Sequence, residues 1–166
     1  FRRVLFRSLW ACRLVRPDTQ KPVTDLASNL QCWSRNDDKR LYRLMCYLDT
    51  TVHYRLIGKV HDKPEDLKLV LFVDADFCGE VAHTKSTSGG WLVLGGPNSW
   101  FPLCWINRRQ TCTSRSTTEA EMVSLACALF GEAIPQLDLW DQLLGRKVDL
   151  YICEDNQATI KRSEEH

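Results

Sequence analysis

The chain has 166 residues, of which 44% are hydrophobic and 26% are charged, and its formal net charge is +1. This composition excludes a disordered chain and fits one sizeable domain, or one small domain with an appendage. The nearly neutral net charge neither supports nor excludes a nucleic-acid partner. No apolar stretch approaches the ~20 residues that a membrane span requires, so we predict no membrane partner.

Eight cysteines are scattered singly along the chain, and several of them lie inside apolar runs. They form no CxxC pair and have no histidine at zinc-ligand spacing, which favours reduced core thiols over disulfides or zinc ligands. Reduced thiols in turn predict a reducing, intracellular compartment.

The sequence at the two ends of the chain indicates a non-native origin. Back-translation of Arg162 to His166 gives a DNA string whose reverse complement translates as Val4 to Ser8, a pattern typical of a sequencing adapter read at both ends. We therefore predict that residues 1–8 and 162–166 are adapter-derived, and they do not enter the fold prediction.

The apolar pattern of residues 9–60 predicts a small helical segment. Helices are expected near LWACRLV, in PVTDLASNLQCW and in DDKRLYRLMCYLDT. The third of these carries one apolar stripe, formed by Leu41, Leu44, Met45 and Leu48. HYRLIG is compatible with a short strand, and the charged residues 61–66 are typical of a linker.

Residues 67–161 predict an α/β domain with a mixed sheet and the element order βββαβα. LKLVLFVDAD is apolar on both faces and predicts a central strand, which a hairpin of SGGWLVLGG and WFPLCWI follows. Ser116 and Glu119 have capping-box spacing for a helix, Gly131 and Pro135 interrupt that helix, and QLDLWDQLLG continues it. VDLYICED predicts the last strand, and NQATI begins the last helix.

Three acids predict a divalent-metal site in this domain. Asp74 ends the central strand, Asp155 follows the last strand, and Glu121 lies one turn into the capped helix. If the two strands are adjacent, the three carboxylates meet at one edge of the sheet and repel one another unless a divalent cation neutralises them. Mg²⁺ prefers oxygen ligands, and a pair of Mg²⁺ ions can hold both the attacking and the leaving oxygen of a phosphodiester. Each acid taken singly also fits a surface role, and Asp76 and Glu119 are better explained as a turn acid and a capping residue.

The motifs VDADFCG, TKSTSGG, NRRQ, STTEAE and CEDNQATI, in this order, resemble the ribonuclease H domain of copia-type retrotransposon Pol polyproteins. Residues 9–60 resemble the connection segment at the C-terminal end of the reverse transcriptase. The resemblance implies a ribonuclease H-like fold and an endonuclease that hydrolyses the RNA strand of RNA–DNA hybrids with two Mg²⁺ ions, for which Mn²⁺ can substitute. The catalytic and metal-binding acids of that family map to Asp74, Glu121 and Asp155.

The same resemblance implies further properties and one departure. The partners that the resemblance implies are the RNA–DNA hybrid and the reverse transcriptase domain of the same polyprotein. It also implies a location in the cytoplasm, within a virus-like particle, or in the nucleus. The family's fourth carboxylate lies beyond Lys161 and is not in this chain, which puts a complete second metal site in doubt. Glu154, beside Asp155, is either an outward-facing acid or one that alters the local charge.

Five residues are candidates for contacts with the substrate. Arg108, Arg109 and Gln110 lie between a strand and the capped helix, where cations could meet phosphates, although ordinary solvated loop charges explain them equally well. Asn156 and Gln157 could hydrogen-bond a ribose 2′-hydroxyl, and Asn156 could equally cap the last helix. The tryptophans Trp91, Trp100 and Trp105 are better explained as core residues than as platforms for bases.

Two other functions fit the sequence less well. Integrases and transposases of the same fold use acids in the order Asp, Asp, Glu, whereas here Glu121 lies between Asp74 and Asp155. A catalytically inactive fragment that only binds hybrid or braces the reverse transcriptase is the non-enzyme alternative. Retention of all three acids argues against a decayed domain, whereas the missing fourth carboxylate leaves an inactive truncated fragment as an open alternative.

Overall fold

A computed structural model describes residues 2–79 and 84–164, and the chain divides into two compact units, Phe1–Leu56 and Ile57–His166. The first unit consists of three α-helices: α1 (Arg2–Leu14), α2 (Gln20–Ser28) and α3 (Arg35–Thr50). The helices predicted in this part of the chain are present, although α2 ends at Ser28, before the predicted end at Trp33.

The core of the first unit forms where the three helices meet. Leu5, Cys12, Val23, Leu26 and Leu44 are buried, and the other members of the predicted α3 stripe pack against them. Leu5 belongs to the residues predicted to be adapter-derived. The stripe of α3 is therefore confirmed, because one helix face must be apolar to cover two neighbouring helices.

Capping and an arginine network fix the ends of these helices. The Ser34 hydroxyl accepts the Asp37 N–H, and the Asp37 carboxylate accepts the Ser34 N–H at 2.9 Å, which together form a capping box for α3. The Arg16 guanidinium donates to Asp18 at 2.8 Å and to the Thr51 hydroxyl at 2.7 Å. It thus ties the connection between α1 and α2 to the end of α3.

The second unit is an α/β domain built on a mixed four-stranded sheet. Its elements are β1 (Lys68–Asp76), β2 (Thr87–Gly95), β3 (Trp100–Arg109), α4 (Thr117–Ala128), α5 (Ile134–Leu144), β4 (Leu150–Cys153) and α6 (Gln157–Glu164). The strand order is β3-β2-β1-β4, with β1 antiparallel to β2 and parallel to β4. The α/β class, the predicted element order and the central place of β1 are confirmed.

The segment between α3 and β1 does not form the short strand that HYRLIG suggested. Of this stretch, Lys59 makes an isolated bridge with Trp100. The Asp62 carboxylate accepts the Asn98 N–H at 2.8 Å, and the Asp62 N–H donates to the Ser99 hydroxyl at 2.9 Å. These bonds tie residues 59–62 to the turn between β2 and β3.

The core of the second unit lies between one face of the sheet and α4. Leu69, Leu71 and Leu92 are at most 1% exposed, and Leu125 and Ala128 of α4 pack in the same cluster. Alternation along β1 sends Leu69 and Leu71 to this face and leaves the residues between them on the opposite face.

The helix that Gly131 and Pro135 were predicted to interrupt continues through a π turn, Leu129–Ala133, into α5. The wider turn contains Gly131, and Pro135 follows at the second position of α5, where the chain lacks the N–H that would donate to the preceding turn. Gly145 ends α5 with a left-handed φ of 67°, which a residue with a side chain adopts less readily.

The helical run Thr117–Leu144 is long and apolar enough to cross a membrane, as judged by length and composition alone. The sequence pattern had predicted no such stretch. One helix of this kind is weak evidence for a membrane span, and here α4 packs on β1 and β2 through its Ala120, Leu125 and Ala128 side chains.

Candidate metal centre

The parallel pairing of β1 with β4 brings two of the predicted acids to one edge of the sheet. Phe72 of β1 is in register with Cys153, the last residue of β4. Asp74 and Asp155 each come two residues later along the two parallel chains, so they lie side by side. The adjacency that the sequence analysis assumed is present.

Helix α4 brings the third acid to the same edge. The Ser116 hydroxyl caps α4 by accepting the Glu119 N–H at 3.2 Å, and the Glu119 carboxylate accepts the Arg115 N–H at 2.6 Å. One turn later the Ser124 hydroxyl donates to the backbone carbonyl of Asp74 at 2.7 Å. Because Ser124 lies three residues after Glu121, this bond fixes the face of α4 that carries Glu121 against the end of β1.

Asp74, Glu121 and Asp155 form one cluster, in which one carboxylate oxygen of each lies within 4.8 Å of the others. Asp74 and Asp155 are exposed, whereas Glu121 is 7% exposed. Asp76 is outside the cluster, because its carboxylate lies against Gly79. Carboxylates at this spacing can share a cation such as Mg²⁺, which takes hard oxygen ligands from two or three acids and keeps part of its water shell.

Glu121 carries the main electrostatic cost of the cluster. Its Oε2 is buried and has no hydrogen-bond partner among the described residues. Burial, followed by the negative charges of neighbouring acids, raises the pKa of Glu121 to about 7. An ionised oxygen in this position needs a cation or a proton, so the residues present fit a divalent metal.

Glu154 alters the charge at the cluster, which is the second of the two roles left open for it, and it is not one of the three acids whose oxygens lie within 4.8 Å of one another. Glu154 is half-buried, and its Oε1 accepts the Asn156 N–H at 3.1 Å. Its Oε2 is buried without a hydrogen-bond partner among the described residues. Among the acidic charges that raise the pKa of Glu121, that of Glu154 acts most strongly. In the sequence, only the adjacent pair Glu154 and Asp155 pointed to a role for Glu154 at this site.

Gln110 is not available to a substrate, contrary to the prediction. Gln110 is 4% exposed, and its Nε2 donates to the Ser88 hydroxyl at 3.1 Å and to the Ala120 carbonyl at 2.8 Å. Its Oε1 accepts the Ser114 hydroxyl at 3.0 Å. The side chain therefore joins β2, the connection after β3 and the first turn of α4. A polar residue at a strand end gave no sign of this burial in the sequence.

The two predicted arginines lie on different faces of β3. Arg109 is in register with Thr87, which is in register with Asp76, so Arg109 shares the face of Asp74 two strands away. Neighbouring strands are about 4.8 Å apart, so this separation is roughly 10 Å. Arg108 is exposed and points to the face that carries α4.

The two polar residues after Asp155 have different roles. Asn156 caps α6, since its Oδ1 accepts the N–H groups of Ala158 at 3.0 Å and Thr159 at 3.1 Å. The capping alternative for Asn156 is confirmed, and only its side-chain nitrogen is left for a substrate. Gln157 is exposed at the first position of α6.

The three tryptophans differ in burial. Trp105 is 7% exposed and stacks on half-buried Trp91 with ring centroids 5.1 Å apart, as expected of core residues. Trp100 is 48% exposed and lies beside Phe72, so the core prediction is wrong for Trp100. The register places all three rings on the same face of the sheet, so the exposure of Trp100 follows from its position at the start of β3.

Comparison with known proteins found relatives among retroelement proteins. The chain is 30% identical over 124 residues to the retrovirus-related Pol polyproteins from transposons RE1 and RE2 of Arabidopsis thaliana. These matches cover 75% of the chain. The chain is thus related to retrotransposon Pol polyproteins.

The extent of these matches differs among the relatives. This Pol-related chain spans 8% of the length of each of the two polyproteins. It is also 29% identical over 113 residues to the secreted RxLR effector protein 161 of Plasmopara viticola, which covers 68% of the chain and 75% of that protein. No protein-family model and no solved structure matches the chain.

Proposed function

We propose that the chain carries a ribonuclease H domain of a retroelement, which hydrolyses the RNA strand of RNA–DNA hybrids. The observation that carries the proposal is the cluster of Asp74, Glu121 and Asp155, whose oxygens lie within 4.8 Å of one another. The relation to Pol polyproteins and the mixed sheet with order β3-β2-β1-β4 agree with a ribonuclease H-like fold. The chain order Asp, Glu, Asp differs from the Asp, Asp, Glu order of an integrase.

The three acids would hold the metal ions. Asp74 and Asp155 would offer carboxylate oxygens from the exposed side of the centre, and Glu121 from the buried side. When bound, the ions supply Lewis-acid stabilisation of the phosphodiester and lower the pKa of the attacking water. The burial of Glu121 excludes water from one side of the centre, which strengthens the attraction between its carboxylate and a cation.

Neighbouring residues would position the substrate. Gln157 and the side-chain nitrogen of Asn156 follow Asp155 directly and can hydrogen-bond a ribose 2′-hydroxyl, the group that distinguishes RNA from DNA. Arg109, on the face of Asp74, offers a cation for a backbone phosphate about 10 Å from β1.

Cleavage of a labelled RNA–DNA hybrid in Mg²⁺ tests the proposal. We expect the 166-residue chain, or a version extended with its natural downstream sequence, to cut the RNA strand and to leave a DNA duplex of the same sequence intact. Asp74→Asn should abolish cleavage, because it removes the charge and keeps the volume. Glu65→Gln is the matched control, since Glu65 is exposed and stands before β1, outside the acid cluster.

Three results would contradict this function. Cleavage by D74N at the wild-type rate would exclude the acid cluster as the catalytic centre. Equal cleavage of the DNA duplex would favour an integrase-like nuclease. Hybrid binding without cleavage by either version, with folding verified by circular dichroism, would favour a fragment that only binds hybrid or braces the polymerase.

A further inference from the structure

Glu154 is held in place by the chain around it. Its Oε1 accepts the backbone N–H of Asn156 at 3.1 Å, and Asn156 in turn caps α6. The carboxylate is therefore fixed between the end of β4 and the start of α6. This constraint turns the second oxygen, Oε2, inward, where it is buried without a hydrogen-bond partner among the described residues.

Two buried carboxylate oxygens in this region lack partners. They are Oε2 of Glu154 and Oε2 of Glu121, which is 7% exposed. Glu154 follows Cys153, which is in register with Phe72, so Glu154 continues β4 opposite Val73, on the sheet face that α4 covers. Its negative charge also acts on Glu121. Burying an ionised oxygen without a partner costs several kcal/mol in general, and two such oxygens near one another also repel. A cation between them would remove both costs.

We propose that Glu154 is a fourth acidic ligand of the metal centre and contributes Oε2 to the cation that Glu121 holds. This inference rests on the metal centre of the proposed function. It places four carboxylates within the described part of the chain. Asp74 and Asp155 hold the exposed side of the centre, and Glu121 and Glu154 hold the buried side.

Titration with Mn²⁺, followed by electron paramagnetic resonance of the free ion, tests this ligand without any cleavage assay. Glu154→Gln keeps an oxygen that can accept the Asn156 N–H but removes the charge. We expect E154Q to bind Mn²⁺ more weakly by about 10- to 100-fold. This is the loss of metal affinity that typically follows mutation of a residue that supports a metal site. Glu65→Gln should bind like the wild type, and D74N should bind more weakly still than E154Q.

The outcomes separate this inference from the metal centre itself. If E154Q binds Mn²⁺ like the wild type while D74N does not, Glu154 is no ligand and the three-acid centre stands. If the wild type binds no Mn²⁺, or D74N binds equally well, the centre fails as a whole. Should E154Q not fold by circular dichroism, Glu154→Asp keeps the charge but withdraws it by one methylene. E154D is then expected to bind several-fold more weakly, and an unchanged affinity would overturn the inference.

Discussion

Neutralising Glu121 is expected to stabilise the metal-free protein at alkaline pH. Burial, followed by the charges of nearby acids, raises the pKa of Glu121 from 4.5 to about 7 in the folded chain. The folded state therefore binds this proton more tightly than the unfolded state. The free energy of unfolding should decrease as the pH rises from 4.5 through about 7, and it should not depend on this group below that window.

The size of the effect follows from the two pKa values. A difference between 4.5 and about 7, at ~1.4 kcal/mol for each pKa unit, corresponds to about 3 kcal/mol as an upper value. Glu121→Gln removes the ionisable group with almost no change in volume. E121Q should therefore exceed the wild type in free energy of unfolding by up to about 3 kcal/mol near pH 8, and the two proteins should be nearly equal near pH 4.

Urea unfolding in EDTA at both pH values measures this difference. Tryptophan fluorescence follows the unfolding, since four of the six tryptophans, Trp91, Trp100, Trp105 and Trp140, lie in the second unit with Glu121. Glu65→Gln serves as the control, because Glu65 is exposed and should change stability little at either pH. An E121Q protein that is no more stable than the wild type near pH 8, or that gains as much stability near pH 4, would contradict this cost of burying the Glu121 charge. Addition of Mg²⁺ should reverse the order at pH 8, since the cation stabilises only the protein that keeps the carboxylate.

Leu71→Ala should lower the free energy of unfolding by about 2–5 kcal/mol in urea, because Leu71 is 1% exposed in the core of the second unit, whereas Leu71→Met should cost less than about 1.5 kcal/mol. Ser124→Ala should lower the free energy of unfolding by about 1 kcal/mol and also weaken Mn²⁺ binding, because the lost bond to the Asp74 carbonyl holds the Glu121 face of α4. An unchanged Mn²⁺ affinity would contradict that positioning role. Asn156→Ala should accelerate hydrogen exchange of the Thr159 amide by loss of a cap worth about 1 kcal/mol, and Asn156→Asp should restore protection because aspartate caps equally well.

The pattern of the sequence was sufficient to predict the acids of the candidate site. Asp74 and Asp155 each follow an apolar run, and Glu121 lies one turn beyond a capping serine, all of which are local signals. The interior place of β1 was predicted as well from its apolar character on both faces, although Phe72, on the face opposite α4, is 36% exposed. The stripe of α3 follows from its helical period alone.

Other features depend on contacts between residues distant in the chain. Gln110 is buried because β2, the connection after β3 and α4 surround it, and nothing in its local sequence distinguishes it from an exposed residue. Trp100 is exposed and Trp105 buried, although the register places both on the same face of the sheet. The π turn at Gly131 likewise joins α4 to α5 in one continuous helix, where the sequence had suggested a break.

Hydrophobic period and capping are local properties, so the three acids, their order and the strands and helix that carry them follow from the sequence alone. The separation of their oxygens, within 4.8 Å of one another, depends on long-range contacts, namely the parallel register of β1 with β4 and the Ser124 bond from α4. The inward orientation of Glu154 was decided at the same level. Its neighbour in sequence, Asp155, is exposed, and the bond to the Asn156 N–H fixes Glu154 on the buried side.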